Sequence, residues 1–254
     1  IKEASIKREP VKEDAEDVGN TIIGEEGKKV TITGDMYANS GSITTTFGAE
    51  GSQFDGKVET VEKGTTTLNF AKGATWNLTG ASTLTNVTFD AGSVLTIDGA
   101  TFEESKGVYA LNGTGKEDVL TIEKGAKLVV KNIDEKTYNI ATGFETISAD
   151  KWDVDNLNAL MEGEWKETDG LQLVVSAKEV DEIAAGTGIS ESTATLVESI
   201  IQNADTEAAK VEGSPEKAAV DFINNVVANN PTSEAVGEAI NSATKMAEAG
   251  GNSA

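Results

Sequence analysis

Asp90 and Asp98 bracket the run AGSVLTI, and Glu103 and Glu104 follow shortly after. Carboxylates are what hydrolysis of a glycosidic bond requires: one protonated group meets the leaving oxygen, and one ionised group faces the other side of the sugar. The chain as a whole, however, carries 43 acidic against 21 basic residues, a net charge of −22. At that density neighbouring carboxylates arise from composition alone, and a solvated acidic face accounts for all four. No residue is therefore assigned a catalytic, cofactor-binding or metal-binding role. The expectation is a protein that is not an enzyme and needs no cofactor.

Other routes to chemistry close because residue types are missing. The sequence has no histidine and no cysteine. Without histidine no Ser-His-Asp triad can form, and the commonest transition-metal ligand is absent. Without cysteine there are no disulfides, thiolate nucleophiles or zinc–sulfur sites. The nucleophile runs GDSGS and GDSL and the calcium run GGxGxD do not occur, which leaves scattered carboxylates as weak calcium ligands at most. The negative charge also disfavours nucleic acid and anionic membrane surfaces as partners.

Three further features invite functional readings. Asn77, Asn86 and Asn112 each head an Asn-x-Thr sequence, a by-product of strands rich in Thr and Asn. Trp76, Trp152 and Trp165 are the residue type that stacks on sugars, but Trp76 falls at an inward strand position and is assigned to a core. Lys2, Lys7 and Arg8 form a basic cluster too diluted by Glu and Asp to hold a polyanion.

The elements that would position any site are read from a recurring octet. EEGKKVTI (25–32), AKGATWNL (71–78), DAGSVLTI (90–97) and EKGAKLVV (123–130) each place apolar residues three and five positions after a glycine. The separations between Gly27, Gly73, Gly92 and Gly125 are 46, 19 and 33 residues. The first reads as two steps of 23, and the last as one step lengthened by a loop over 103–118. Across 21–180, runs such as VTITG, TTTLNF and KLVVKNI alternate apolar with polar residues, the period of half-buried strands. Steps of this length predict a mainly β protein built as a right-handed parallel β-helix, a solenoid whose inward positions stack into ladders. Leu95, Ile97, Leu128 and Val130 are expected in those ladders. An antiparallel sandwich competes, but few Asn-Gly or Asp-Gly hairpin dipeptides separate the runs.

Two flanking regions differ in texture. Residues 1–20 are charge-dense and read as a leader or an irregular first coil. Residues 187–254 read as a short α-helical region. Ser190 caps a helix with Val197, Ile200, Ile201 and Ala204 on one face. Ser214 and Pro215 open a second, striped by Ala219, Phe222, Ile223, Val226 and Val227. A third, after Pro231, carries Val236, Ile240 and Ala243 and stops at Gly250–Gly251. Just before these helices, residues 136–180 gather large apolar side chains, including Tyr138, Ile140, Trp152, Trp165 and Leu173, and are expected to act as folding nucleus and end-cap. Lacking an initial methionine and any run able to span a bilayer as a helix, the chain reads as a processed or excised piece.

The run GATWNLTGASTLTNVTFDAGSVLTIDGATF (73–102) resembles the end of the passenger domain of a bacterial autotransporter of the pertactin-like kind, where Trp-x-Leu-Thr-Gly-x-Ser-x-Leu precedes further coils. Residues 136–180 are similar to the closing coils of such passengers, and the helical stretch resembles the linker into the outer-membrane β-barrel. The resemblance implies a type V secretion substrate, exported through periplasm and outer membrane and folded at the bacterial cell surface. Its implied role is a non-enzymatic stem, a folding nucleus and spacer presenting an adhesive or effector region connected with virulence. Its implied partner is its own barrel, which does not follow Ala254. Host glycans, matrix proteins or self-association are further candidate partners. The alternatives are a carbohydrate-active β-helix protein of lyase or hydrolase type and a self-associating adhesin.

Overall fold

The structure is a computed structural model that describes residues 19–115, 117–204, 206–230 and 232–251, with the side chains of 247–251 excepted. Most of the charged leader, including Lys2, Lys7 and Arg8, lies outside the described residues. Two compact units form. One runs up to Asn156 and includes Glu164–Val174, and the other comprises Leu157–Gly163 and the chain from Val175 onward.

The first unit is mainly β. Its strands, numbered along the chain, fall into three sheets that the chain visits in turn. The first sheet orders β1 (Asn20–Ile23), β4 (Ser42–Phe47), β7 (Thr65–Phe70), β10 (Asn86–Phe89), β13 (Val119–Ile122) and β16 (Thr146–Ile147). The second orders β2 (Thr31–Thr33), β5 (Gln53–Gly56), β8 (Thr75–Leu78), β11 (Val94–Asp98), β14 (Lys127–Lys131) and β17 (Asp153–Val154). The third orders β3 (Met36–Ala38), β6 (Val58–Thr60), β9 (Ser82–Leu84), β12 (Leu111–Gly113) and β15 (Thr137–Thr142), then β19 (Leu171–Ala177) and β18 (Met161–Glu167). Neighbours in each sheet lie three strands apart in sequence and run parallel. The exceptions are β19, which pairs antiparallel with β15, and β18, which neighbours β19, so the last part of 136–180 does not continue the parallel pattern.

Glycine corners set the register. At Gly51, Gly73, Gly92 and Gly125, φ lies between 75° and 93°, and the next residue donates to the carbonyl two residues before the glycine, as in Ala74 N to Ala71 O at 2.9 Å. A positive φ at the third position of a four-residue turn is the type II geometry that favours glycine. These corners are tied to one another: Gly51 N donates to Gly73 O (3.0 Å), Gly73 N to Gly92 O (3.0 Å) and Gly92 N to Gly125 O (2.8 Å). Gly51 supplies the step missing from the 46-residue interval. Gly27 stands outside this line, since its N–H donates to Gly48 O. The long step from Gly92 to Gly125 takes its extra chain between β11 and β12, over 99–110, and between β12 and β13, over 114–118, most of it within the loop expected over 103–118. In the first of these, α1 (Gly99–Phe102) and a 3-10 turn (Glu104–Lys106) leave the strand path.

Inside, side chains stack in register. In the second sheet Ile32, Phe54, Trp76, Leu95, Leu128 and Val154 form one column, and Ile97 lies beside Val130. The four ladder residues expected at 95, 97, 128 and 130 are fully buried. In the first sheet Phe47, Phe70, Phe89 and Ile122 form another column. The rings of Phe47 and Phe70 lie 4.7 Å apart and those of Phe70 and Phe89 5.2 Å apart. Offset stacking of this kind adds about 0.5–1.5 kcal/mol per pair beyond burial.

The second unit is helical: α2 (Val180–Thr187), α3 (Glu191–Gln202), α4 (Pro215–Asn229) and α5 (Ser233–Gly251). Its core joins Leu160 with Ile183, Ile189, Ala194, Val197, Ile223, Val226, Val236 and Ile240. Ser190 and Ser214 cap as expected, accepting from Thr193 N (3.2 Å) and Lys217 N (3.0 Å). Phe222, expected on the inward stripe, is 40% exposed. Helix α2 begins seven residues before the expected helical boundary at 187, at the last residue of the chain read as β. No described helix is long and apolar enough to cross a membrane.

Candidate functional site

The four carboxylates that suggested chemistry do not converge. Strand β11 alone separates Val94 from Asp98 by about 13 Å at ~3.3 Å per residue, and Asp90 lies in the corner before that strand. Glycosidase carboxyls sit about 5–9.5 Å apart. Asp98 instead accepts from Thr101 Oγ1 (2.8 Å) and Asn132 Nδ2 (3.1 Å). These donors hold its carboxyl below the usual range. Glu103 pairs with Lys136 Nζ at 2.9 Å, which lowers its pKa in the same way. Glu104 is exposed in the 3-10 turn.

Asp90 differs from these. Burial first, and then the charges of Glu123 and Glu26, push its pKa up. Ala91 N donates to Glu123 Oε2 at 3.3 Å, which keeps that carboxylate at the same corner. Stacking corners one above another therefore stacks their charges, and an acidic octet pays for that proximity. Among the described residues no group of acidic side chains is arranged to hold a metal ion.

One carboxylate escaped notice in the sequence. Asp118 is buried and accepts from Thr114 Oγ1 (2.7 Å), from Gly115 N (2.7 Å) and from Thr114 N. All three bonds go to Oδ2, which closes the loop between β12 and β13. The signal, a Thr-Gly pair shortly before an Asp, marks a turn closed by its own side chain.

The tryptophans serve the interior. Trp76 is fully buried, its Nε1 donates to Gly56 O (2.9 Å), and its ring lies 5.4 Å from those of Phe54 and Phe70. Trp152 meets Phe89 edge-on at 5.2 Å, and Trp165 Nε1 donates to Trp152 O at 3.2 Å. Trp76 and Trp152 are buried and offer no platform for a sugar, whereas Trp165 is half-buried in β18. The Asn-x-Thr asparagines are similarly engaged. Asn77 donates to Asp55, Asn86 accepts from Val119 N (3.2 Å), and Asn112 donates to Ser82 O (3.1 Å) and Tyr109 O (3.0 Å).

What the arrangement does offer is a surface. On the outer side of the first sheet, Thr44, Thr67, Asn86, Val119 and Thr146 stand in one column, and Thr46, Asn69, Thr88 and Thr121 in the next. The sequence marks these positions only as the polar half of an alternating strand. Their alignment depends on a register that the corner glycines establish. Compared with known proteins, the chain matches no family model, no curated protein and no solved structure.

Proposed function

We propose that residues 21–180 form a right-handed parallel β-helix that acts as a non-enzymatic stem at the bacterial cell surface. In this reading the chain is the C-terminal part of an autotransporter passenger, and residues 187–254 lead into an outer-membrane β-barrel. The observation that carries the proposal is the cyclic strand order, in which each strand from β1 to β14 pairs in parallel with the strand three places on and buried columns run through successive circuits. A stack of this kind gains stability from interfaces between neighbours, so it can fold progressively as chain emerges and can hold a distal region at a distance. Parallel crossovers are right-handed in about 98% of cases, which supports the assigned hand. A sequence free of cysteine suits passage through a pore, because no disulfide can close a loop beforehand.

The test is to fuse the whole chain between a secretion signal and an outer-membrane β-barrel in a Gram-negative host, then treat intact cells with protease. Folded chain displayed outside, and released or trimmed by the added protease, is the expected result. Chain retained in the periplasm beside a correctly inserted barrel would overturn the stem reading.

A further inference from the structure

The strands of the first sheet, NTII, SITTTF, TTTLNF, NVTF, VLTI and TI, contain no charged residue. Charged residues make up 25% of the chain, and the other sheets carry their share. Asp55, Asp98, Lys127, Lys131 and Asp153 lie in strands of the second, and Glu59 in a strand of the third. In a strongly acidic molecule the six strands of this face are thus uncharged, and its carboxylates, such as Glu62, Asp90, Glu123 and Glu145, are confined to the turns along its borders.

We propose that a second copy of this chain docks face to face on the outer side of the first sheet. The argument starts from charge. Two copies that each carry −22 repel wherever acidic surfaces approach. The neutral face is where that repulsion is least, and packing it against itself is an isologous contact that closes at two copies. The side chains there suit sheet-on-sheet packing at about 10 Å. Thr44, Thr67 and Thr121 are half-buried and β-branched, so little rotamer freedom is lost on contact. Ile22, 78% exposed, stands in register with Thr44 on the same side. The strands of this face contribute no outward aromatic ring, so a sugar would lack its usual platform.

The size of the face sets the strength. Six strands at ~4.8 Å spacing and about four residues long on average cover roughly 24 by 14 Å, or about 340 Å². Stable complexes bury about 800 Å² per partner, so the dimer is weak and depends on concentration. This inference does not rest on the stem reading.

Sedimentation equilibrium of the full chain, at low salt and near ~1 M salt where the Debye length is about 3 Å, provides the test. A monomer–dimer equilibrium that tightens with salt is expected. Thr67→Asp with Thr121→Asp should weaken it at least about tenfold, because like charges then oppose across the contact. Mixing that variant with Thr67→Lys/Thr121→Lys should restore a heterodimer. The mixture separates a lost interface from a lost fold, since only folded copies recombine. The proposal is overturned by wild-type chain that stays monomeric at high salt, by a dimer indifferent to both variants, or by variants whose mixture stays monomeric. A monomer that binds a neutral glycan through this face would equally overturn it.

Discussion

The sheet-bearing unit and the helical unit hide their apolar side chains with partners drawn from opposite distances along the chain. In the sheets each buried residue rests on one that lies a full circuit away: Leu128 packs beside Leu95, and Trp76 beside Phe54. In the helical unit, the turns of each helix close through local bonds, and only the stripe formed by Ile183, Val197, Ile223 and Val236 brings separate helices together. The first arrangement is tolerant of polar outer faces but unforgiving inside, because a column has a neighbour above and below every member. The second depends on thin stripes, and side chains such as Leu196 and Phe222 remain exposed. Sequence distance between partners therefore predicts where a change will be felt most.

The largest effect is expected at Trp76. Replacing it with alanine removes a ring that touches both aromatic columns and takes from Gly56 O the shorter of its two donors, leaving only Thr79 N at 3.5 Å. The β unit should lose about 3–5 kcal/mol, read from the near-ultraviolet circular dichroism midpoint in denaturant. An equal fall in the helical signal at 222 nm would erase the contrast between the units. A sharper comparison pairs Leu128→Ala with Ile223→Ala. Both lie in the range of about 2–5 kcal/mol, with Leu128 at the upper end because Leu95 and Val154 hold the column open around the cavity. Hydrogen exchange after each change would sharpen the contrast further. Amides of β11 and β14 should remain the slower set in the wild type, and equal protection in α3 and α4 would break it.

Smaller effects test the ends and corners. Ser214→Ala removes the acceptor for Lys217 N and should cost about 0.5–2 kcal/mol, confined to the helical signal. At the corner, Asp90→Asn should stabilise slightly at neutral pH. Because the folded pKa of Asp90 is raised, the native state binds its proton more tightly than the unfolded chain does. That contribution is favourable below the ordinary carboxylate range and is lost as pH rises through the raised folded value. Above it the carboxylate is a burden, which asparagine lifts by less than about 1 kcal/mol once solvent screening is allowed for. A variant whose stability matches the wild type at every pH would mean that neither burial nor Glu123 strains Asp90.

Much of this was legible in the octets. Glycine followed by apolar residues at the third and fifth positions located the corners at Gly73, Gly92 and Gly125 and the buried pairs 95/128 and 97/130. Gly51 was missed for a physical reason. Its fifth position is Gly56, whose Cβ would lie 2.8 Å from the Phe54 ring and 2.2 Å from Gly34 O. The apolar template fails where large rings leave no room. Gly27 misled in the opposite sense: its octet fits, but its strand is displaced by two residues, so Ile32 rather than Val30 lies beside Phe54. Helix α2 hid because its segment follows a strand without a break. Its start rests on Glu182 accepting from Glu179 N (3.4 Å), and its end on Gly188 with φ 69°. The candidate carboxylates could be named from the sequence, but their separation could not, since it depends on which side of a corner each one falls.

The excursion between β11 and β12 has a further consequence. The corner at Gly92 donates to Gly125 O across a 33-residue step as readily as Gly73 donates to Gly92 O across one of 19. Alignment of successive circuits is therefore indifferent to how much polypeptide leaves between them, provided that it departs and returns at the same junction. A fold with that property can change its outer decoration by insertion while its interior stays the same. The exposed tip of that excursion, Glu104–Gly107, beyond the packed Gly99 and Phe102, is thus the natural place to graft a foreign epitope or an enzyme.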